Sequence, residues 1–220
     1  MKSQRIKDIY FALIKPLSML NYYRHNFINS DMSGTKYKKP LFLNIGSGAS
    51  YMDGFVNIEG NIFNRKDMWL DIRNGLPFPD NSVDVIYACH ILEHFYMSEL
   101  LFVLKEFKRV TKPYGAVRIL VPSLEMAVNA YTKGEDDWFD EFPVSYKSLG
   151  GRLYNFLLCD GQHQLFFDYA FMEEILQETG FSHISNMNSG GSDIFKTDEL
   201  QKMEDNNDHH IKTSLIIEAR

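Results

Sequence analysis

The sequence predicts an open α/β sheet, mostly parallel with an antiparallel C-terminal strand, and with helices on both faces. Two observations carry this. Five short apolar runs recur, at 41–45, 55–59, 68–72, 83–89 and 116–121, and they are apolar on both faces, as strands covered on two sides are. A long amphipathic stretch over 93–110 separates the last two, and strands alternating with helices imply an open α/β sheet.

The elements follow in order. Ile6, Ile9, Tyr10, Leu13, Ile14 and Leu17 recur near helical spacing, so 4–28 reads as a helix that Pro16 should kink or end. Residues 29–39 are polar and read as a linker, which makes 1–39 an N-terminal helical arm on a domain of 40–220. The first run stops at Gly46-Ser47-Gly48, and only 49–54 precede the second. A parallel crossover usually takes about a dozen residues or more, so its helix should be reduced to a turn. Pro79-Asp80-Asn81-Ser82 announces the fourth run, Lys112-Pro113-Tyr114-Gly115 ends the 93–110 helix, and Pro122 closes the fifth run. A helix is expected over 124–133. The stretch 134–167 reads as irregular and aromatic, and 131–167 is assigned to an acceptor pocket or lid, the alternative being a satellite core. A helix over 169–179 ends at Gly180, a sixth strand spans 181–187, and a polar excursion over 188–210 leads to a final strand at 213–219.

Composition narrows the class. With 220 residues, 45% apolar and 24% charged, the chain can bury one domain core. Two cysteines, Cys89 and Cys159, are too few for a disulfide framework and suit a reducing, cytoplasmic setting. A net charge of −6 argues against a general nucleic-acid binder. No run approaches the roughly 20 apolar residues of a membrane span, and no signal peptide is read. Residues 1–40 carry eight Lys/Arg and two Asp, so a basic arm sits on an acidic body and could contact a membrane surface peripherally.

Ligands of open α/β sheets bind beyond the carboxyl ends of the strands. Gly46-Ser47-Gly48 lies there, and glycines let backbone approach a ligand closely. Glu59 follows the second strand, where a carboxylate can accept from two ribose hydroxyls, and Asp71 follows the third, able to accept from an adenine amino group. Ala88-Cys89-His90 follows the fourth.

Taken together these segments resemble the class I S-adenosylmethionine-dependent methyltransferases, and especially the small bacterial-type group around the methyltransferase type 11 domain, associated with glycan pathways. The matching segments are 43–48, 54–59, Asp71 with 76–87, the segment His90-Ile91-Leu92-Glu93-His94, and 163–168 through 180–181. Asn44 stands where that family usually has an acid, and Ser50 where it has a third glycine. The resemblance implies a Rossmann-like fold and S-adenosylmethionine as cofactor, held by Asn44, Gly46, Ser47, Gly48, Glu59, Asp71, Ile72 and Cys89. It implies methyl transfer, with a small-molecule or sugar hydroxyl as the acceptor.

A hydroxyl acceptor calls for a general base, and histidine titrates near neutral pH. His94 is the first candidate, followed by His90 and His163. Two other readings stay open: a methyltransferase fold kept as a non-catalytic binding module, and, remotely, a zinc-dependent hydrolase using the His-x-x-Glu-His pattern of 90–94. No metal is expected. Asp208-His209-His210 reads as a solvated loop, and a nicotinamide dehydrogenase is disfavoured because no Gly-x-Gly-x-x-Gly opens a helix.

Overall fold

The computed structural model describes residues 4–29, 40–192, 204 and 209–220. The linker from 30 to 39, Asp208 and much of the polar excursion lie outside the described residues. Seven strands form one sheet: β1 (Phe42–Ile45), β2 (Val56–Glu59), β3 (Met68–Trp69), β4 (Val83–Cys89), β5 (Thr111–Pro122), β6 (Ile184–Met187) and β7 (Ser214–Ala219). Their order is β3-β2-β1-β4-β5-β7-β6. β1 to β5 pair in parallel, and β7 runs antiparallel to both β5 and β6. The helices are α1 (Gln4–Asn29), α2 (Met97–Val110), α3 (Leu124–Lys133), α4 (Leu149–Leu158), α5 (Tyr169–Glu178) and the single turn α6 (His209–Lys212).

The strands alternate as their sequences require. Ile86 and Ala88 of β4, Val117, Ile119 and Val121 of β5, and Leu215 and Ile217 of β7 face one core with α2 and α5. Val85 and Tyr87, Ala116 and Leu120, and Ile216 face the other, which Met52, Phe55 and Ile211 cover. No helix joins β1 to β2, as the short spacing requires, so side chains of the 49–55 turn take the place of a crossover helix.

Several boundaries differ from the sequence reading. β3 stops after two residues because the Asp71 carboxylate caps a 3-10 turn by accepting from Arg73 N–H. The 93–110 helix divides: 92–94 form a 3-10 turn, and α2 begins at Met97, where Glu99 accepts from Tyr96 N–H. α4 lies inside the segment read as irregular. It begins across Gly150-Gly151 because Ser148 accepts from Gly151 N–H and caps the helix.

α1 also runs straight through Pro16 rather than ending there. Side chains on both sides of the proline tie it to the sheet edge. Tyr10 Oη donates to Gly60 O, Ser18 Oγ accepts from Asp71 N–H, and Asn21 donates to Trp69 O. Its inward face is partly polar, while Ile6, Ile9, Leu13, Leu17 and Leu20 point outward and are more than half exposed.

On the second face of the sheet Arg118 is wholly buried. It donates to Glu204 (2.6 Å), to Glu218 (2.7 Å) and to Gly191 O (3.0 Å). Removing the cation strands two buried carboxylates, which costs about 3–5 kcal/mol. Arg118→Met should therefore lower the thermal midpoint by roughly 10 °C for a chain of this size. Unchanged melting in a calorimetric scan would refute this account of the pairing.

Candidate functional site

The site starts where β1 ends. Gly46 (φ +65°) and Ser47 turn back so that both N–H groups donate to Ile58 O, at 2.8 and 3.1 Å. A Cβ on Gly46 would lie 2.2 Å from Ile91 Cδ1, so the Ile91 side chain would have to shift, and the left-handed φ strains any residue other than glycine. Gly48 (φ +52°) then sends its N–H to Glu59 Oε2 at 2.7 Å, and Asn61 N–H donates to Glu59 Oε1 at 2.6 Å. Each Glu59 oxygen thus accepts one backbone amide and keeps lone-pair capacity for a ligand.

A cavity of about 310 Å³ opens over this turn, lined among others by Gly46, Gly48, Glu59, Asp71, Ile72 and Ile91. The glycine turn and both acids therefore share one cleft. Asp71 is paired there with Arg73: its carboxylate accepts from Arg73 Nε at 2.9 Å and Nη2 at 2.9 Å. Arg73 in turn lies 4.4 Å above the Phe11 ring, so α1 forms a wall of the cleft. Asn44 is buried and tied inward. Its amide donates to Ser50 O and Asn57 Oδ1, both at 2.9 Å, so it holds the loop after the glycine turn. Ser47 is buried, with no hydrogen-bond partner for its hydroxyl among the described residues.

A second cavity of about 390 Å³ adjoins the first and shares Lys7, Gly46, Gly48, His90 and His94 with it. Cys89 lines this second cavity, and the aromatic insertion supplies another wall through Phe142 and Phe156. The same insertion also builds a satellite core, where Trp138, Phe139 and Phe156 pack on α3 and α4.

Between the cavities lie His90, Glu93, His94 and His163. His90 leaves β4 at φ +50°, a left-handed turn that swings its ring into the cleft. The inverse zinc-protease pattern needs one helix through 90–94, and that helix is absent. His163 arrives from beyond α4. The His94 and His163 rings stand 5.0 Å apart, edge to face. Glu93 Oε1 is 3.5 Å from His90 Nδ1, 3.9 Å from His94 Nε2 and 3.9 Å from His163 Nε2. Glu93 is buried, yet neither carboxylate oxygen has a hydrogen-bond partner.

The outer ring nitrogens are all engaged. His94 Nδ1 faces Gln162 O at 2.9 Å and His163 Nδ1 faces Leu157 O at 2.9 Å, so both must donate there. His90 Nε2 meets Ser214 Oγ at 2.7 Å, whose proton goes to His210 O, so His90 also donates outward. The His94 and His163 imidazoles therefore turn a nitrogen lone pair toward Glu93. Burial pushes His94 down, and pushes His163 down to about 4, so both are neutral near pH 7. Burial alone would raise Glu93, but the His90 ring 3.5 Å away, and then the positive charge that His94, His90 and His163 carry when protonated, outweigh it and bring the carboxyl down to about 2.

Sequence reasoning missed Lys7, Phe11, Arg73 and Ile91 as wall residues. The inward spacing of positions 7, 11, 14 and 18 along α1 was the available signal. Gly46→Ala should abolish S-adenosylhomocysteine binding and cost at least about 1–2 kcal/mol of stability from the left-handed backbone. Calorimetry beside a melting curve checks both, and wild-type binding in the variant would contradict the turn geometry.

Residues 64–119 match the family model described as a methyltransferase domain, a segment running from just before β3 into β5. No curated relative matches the sequence. Among solved structures, an S-adenosylmethionine-dependent methyltransferase from Thermotoga maritima is similar at 13% identity and TM-score 0.50, covering 95% of each chain. A methyltransferase from Haloferax volcanii, solved with the Trm112 methyltransferase activator, is similar at 14% identity and TM-score 0.49, covering 96% of each chain. One from Archaeoglobus fulgidus is similar at 12% identity and TM-score 0.46, covering 91% of this chain and 94% of its own. The chain has the Rossmann-like fold of the class I S-adenosylmethionine-dependent methyltransferases, and the sequence match to a methyltransferase domain covers β3, β4 and most of β5, with Asp71 and the 90–94 segment.

Proposed function

We propose that the protein is an S-adenosylmethionine-dependent methyltransferase acting on a hydroxyl of a small molecule or sugar. One observation carries the reading: the Gly46 turn, Glu59 and Asp71 share a cleft that opens directly into a histidine-lined cavity. The residues fit the cofactor. Glu59 retains one acceptor direction on each oxygen for vicinal ribose hydroxyls, and Gly48 presents open space where a side chain would otherwise stand. Ile72 and Ile91 offer apolar surface beside them for a purine. Bound there, S-adenosylmethionine supplies a methyl group on a positively charged sulfonium.

The protein's own work is positioning and proton handling. Phe142 and Phe156 bound the acceptor cavity, where holding the reactants at near-attack distance is worth ~7–11 kcal/mol. The neutral His94 Nε2, fixed in its tautomer by Gln162 O, faces that cavity with a free lone pair and can take the acceptor's proton as the oxygen–carbon bond forms and the carbon–sulfur bond breaks. His163 presents an equivalent lone pair beside it, and His90 lines the same cavity. The second reading is a non-catalytic binding module. The neutral, tethered Asn44 and the pairing of Asp71 with Arg73 favour it.

Calorimetry with S-adenosylmethionine and S-adenosylhomocysteine decides between these and neither. Binding is expected, and its absence at millimolar ligand would remove the enzyme reading. Glu59→Gln should weaken S-adenosylhomocysteine by roughly 10–100-fold, the loss of charge-assisted hydrogen bonding. His94→Ala should lower turnover by about 10²–10⁴-fold while cofactor affinity stays near wild type. Binding without turnover on any hydroxyl acceptor would support the module instead.

A further inference from the structure

We propose that Glu93, His94 and His163 hold a divalent transition-metal ion of the zinc type at the junction of the two cavities, with His90 at its edge and one face open to the acceptor. The inference rests on the methyltransferase reading for the acceptor's place, but not for the ion itself. One ligand atom from each of the three residues lies within 4.8 Å of the others. A tetrahedral ion with bonds near 2.0–2.1 Å sets its ligand atoms about 3.4 Å apart. The 3.9 Å separations from Glu93 to His94 and His163 need to close by about 0.5 Å to reach that spacing, and the His94–His163 pair, within 4.8 Å, by up to about 1.4 Å.

The case rests on donors and acceptors. A buried carboxylate faces the Nε2 atoms of His94 and His163, whose Nδ1 protons are committed outward to Gln162 O and Leu157 O. The three lone-pair groups of Glu93, His94 and His163 converge, and the Lys7 ammonium in the same cavity wall is not ion-paired with Glu93. Among the described residues, the only cationisable groups within 4.0 Å of Glu93 are these three rings. Burying such a set is costly unless a cation sits in its midst. The outer contacts are also those of metal ligands, whose second ring nitrogen donates to a carbonyl or hydroxyl that fixes the tautomer. Nitrogen with carboxylate oxygen suits zinc, cobalt or iron better than magnesium. The open side faces the cavity lined by Phe142 and Phe156, where an acceptor oxygen can complete the coordination.

The test is titration of chelator-treated, dialysed full-length protein with Co²⁺, read by visible absorption, and with Zn²⁺, read by calorimetry and metal analysis. One ion per chain is expected at micromolar metal, with a tetrahedral cobalt spectrum. Glu93→Gln and His163→Asn should each weaken it on the order of 100-fold. S-adenosylhomocysteine affinity of the same variants, which monitors folding, should stay near wild type. Failure to bind either metal while S-adenosylhomocysteine still binds overturns the ion and leaves the histidines as bases. Metal binding without any cofactor binding upholds the ion and removes the methyltransferase reading. Metal binding that survives Glu93→Gln but disappears in a His209→Ala, His210→Ala double variant also overturns it, since those two rings lie in the neighbouring wall.

A separate observation carries a second inference, that the outer face of α1 rests on an anionic lipid surface. Ile6, Ile9, Leu13, Leu17 and Leu20 form one outward aliphatic stripe, more than half exposed, with exposed Arg5 and Arg24 at its two ends. Asp8 is the only acid in the helix. Ile62 and Phe63, the latter 87% exposed, lie on a loop whose Ile62 N–H donates to Tyr10 Oη of α1. A second copy is disfavoured as occupant, because a two-fold antiparallel pairing of stripes sets Arg5 against Arg24 without an acid between them. Apolar surface framed by cations is the pattern of helices lying in a bilayer interface.

Sedimentation with vesicles of phosphatidylcholine containing 30 mol% phosphatidylserine should capture the protein, and pure phosphatidylcholine should not. A Leu13→Glu, Leu17→Glu variant should lose at least about tenfold in partitioning, at unchanged S-adenosylhomocysteine affinity. Absence of anionic-vesicle binding, or a self-associated dimer in ultracentrifugation that the same variant dissolves, would overturn it.

Discussion

The carbonyl of Ile58 accepts from both Gly46 and Ser47, and the functional cleft depends on that bifurcated contact. It lets β1 pass to β2 without a crossover helix, because the chain can bend back on itself only where a left-handed residue without a side chain is available. Ile91 fills the space that a Cβ would take. The turn thereby delivers Gly48 N–H to Glu59, which sets that carboxylate at the cleft floor. The absent helix leaves its face of the sheet to Met52, Phe55 and Ile211.

α1 compensates at the other side of the cleft. It is held by polar side chains against the backbone of β3 and the loop after β2, and not by a broad apolar seam. Lys7 thus becomes a wall residue of both cavities, and Phe11 of the one over the glycine turn. An arm that reads as an appendage is in fact part of the site. The same packing turns the more aliphatic stripe of the helix to the outside, a reversal of ordinary amphipathic burial.

The histidine cluster shows how positions far apart in the chain settle one another's protonation. Leu157 and Gln162, at the end of α4 and just beyond it, aim carbonyls at His163 and His94, and Ser214 of β7 takes the proton of His90. The outward bonds of His94 and His163 leave their second ring nitrogens as acceptors inside. Burial then holds His94 and His163 neutral, while Glu93 keeps its charge. The chemistry of the cluster follows from this polarity, whether a proton or a cation is what it receives.

Much of this was legible in the chain alone. The strand runs, the Gly46-Ser47-Gly48 stop, the acids at 59 and 71 and the shortened first crossover are local patterns, and local patterns report periodicity and turn chemistry directly. The strand ends also implied that the glycines and both acids share a cleft, since parallel strands must carry their carboxyl ends to one edge. Other features needed the tertiary structure. Arg73 neutralising Asp71, Asn44 turned inward to Asn57, and α4 starting across two glycines each depend on partners or caps that periodicity does not encode. His163 reaches Glu93 only because α4 and its turn fold back over the end of β4, some 70 positions later in the chain. Sequence spacing sets which residues can stand at an edge, while the direction in which a ring nitrogen points is decided by whichever carbonyl packing brings beside it.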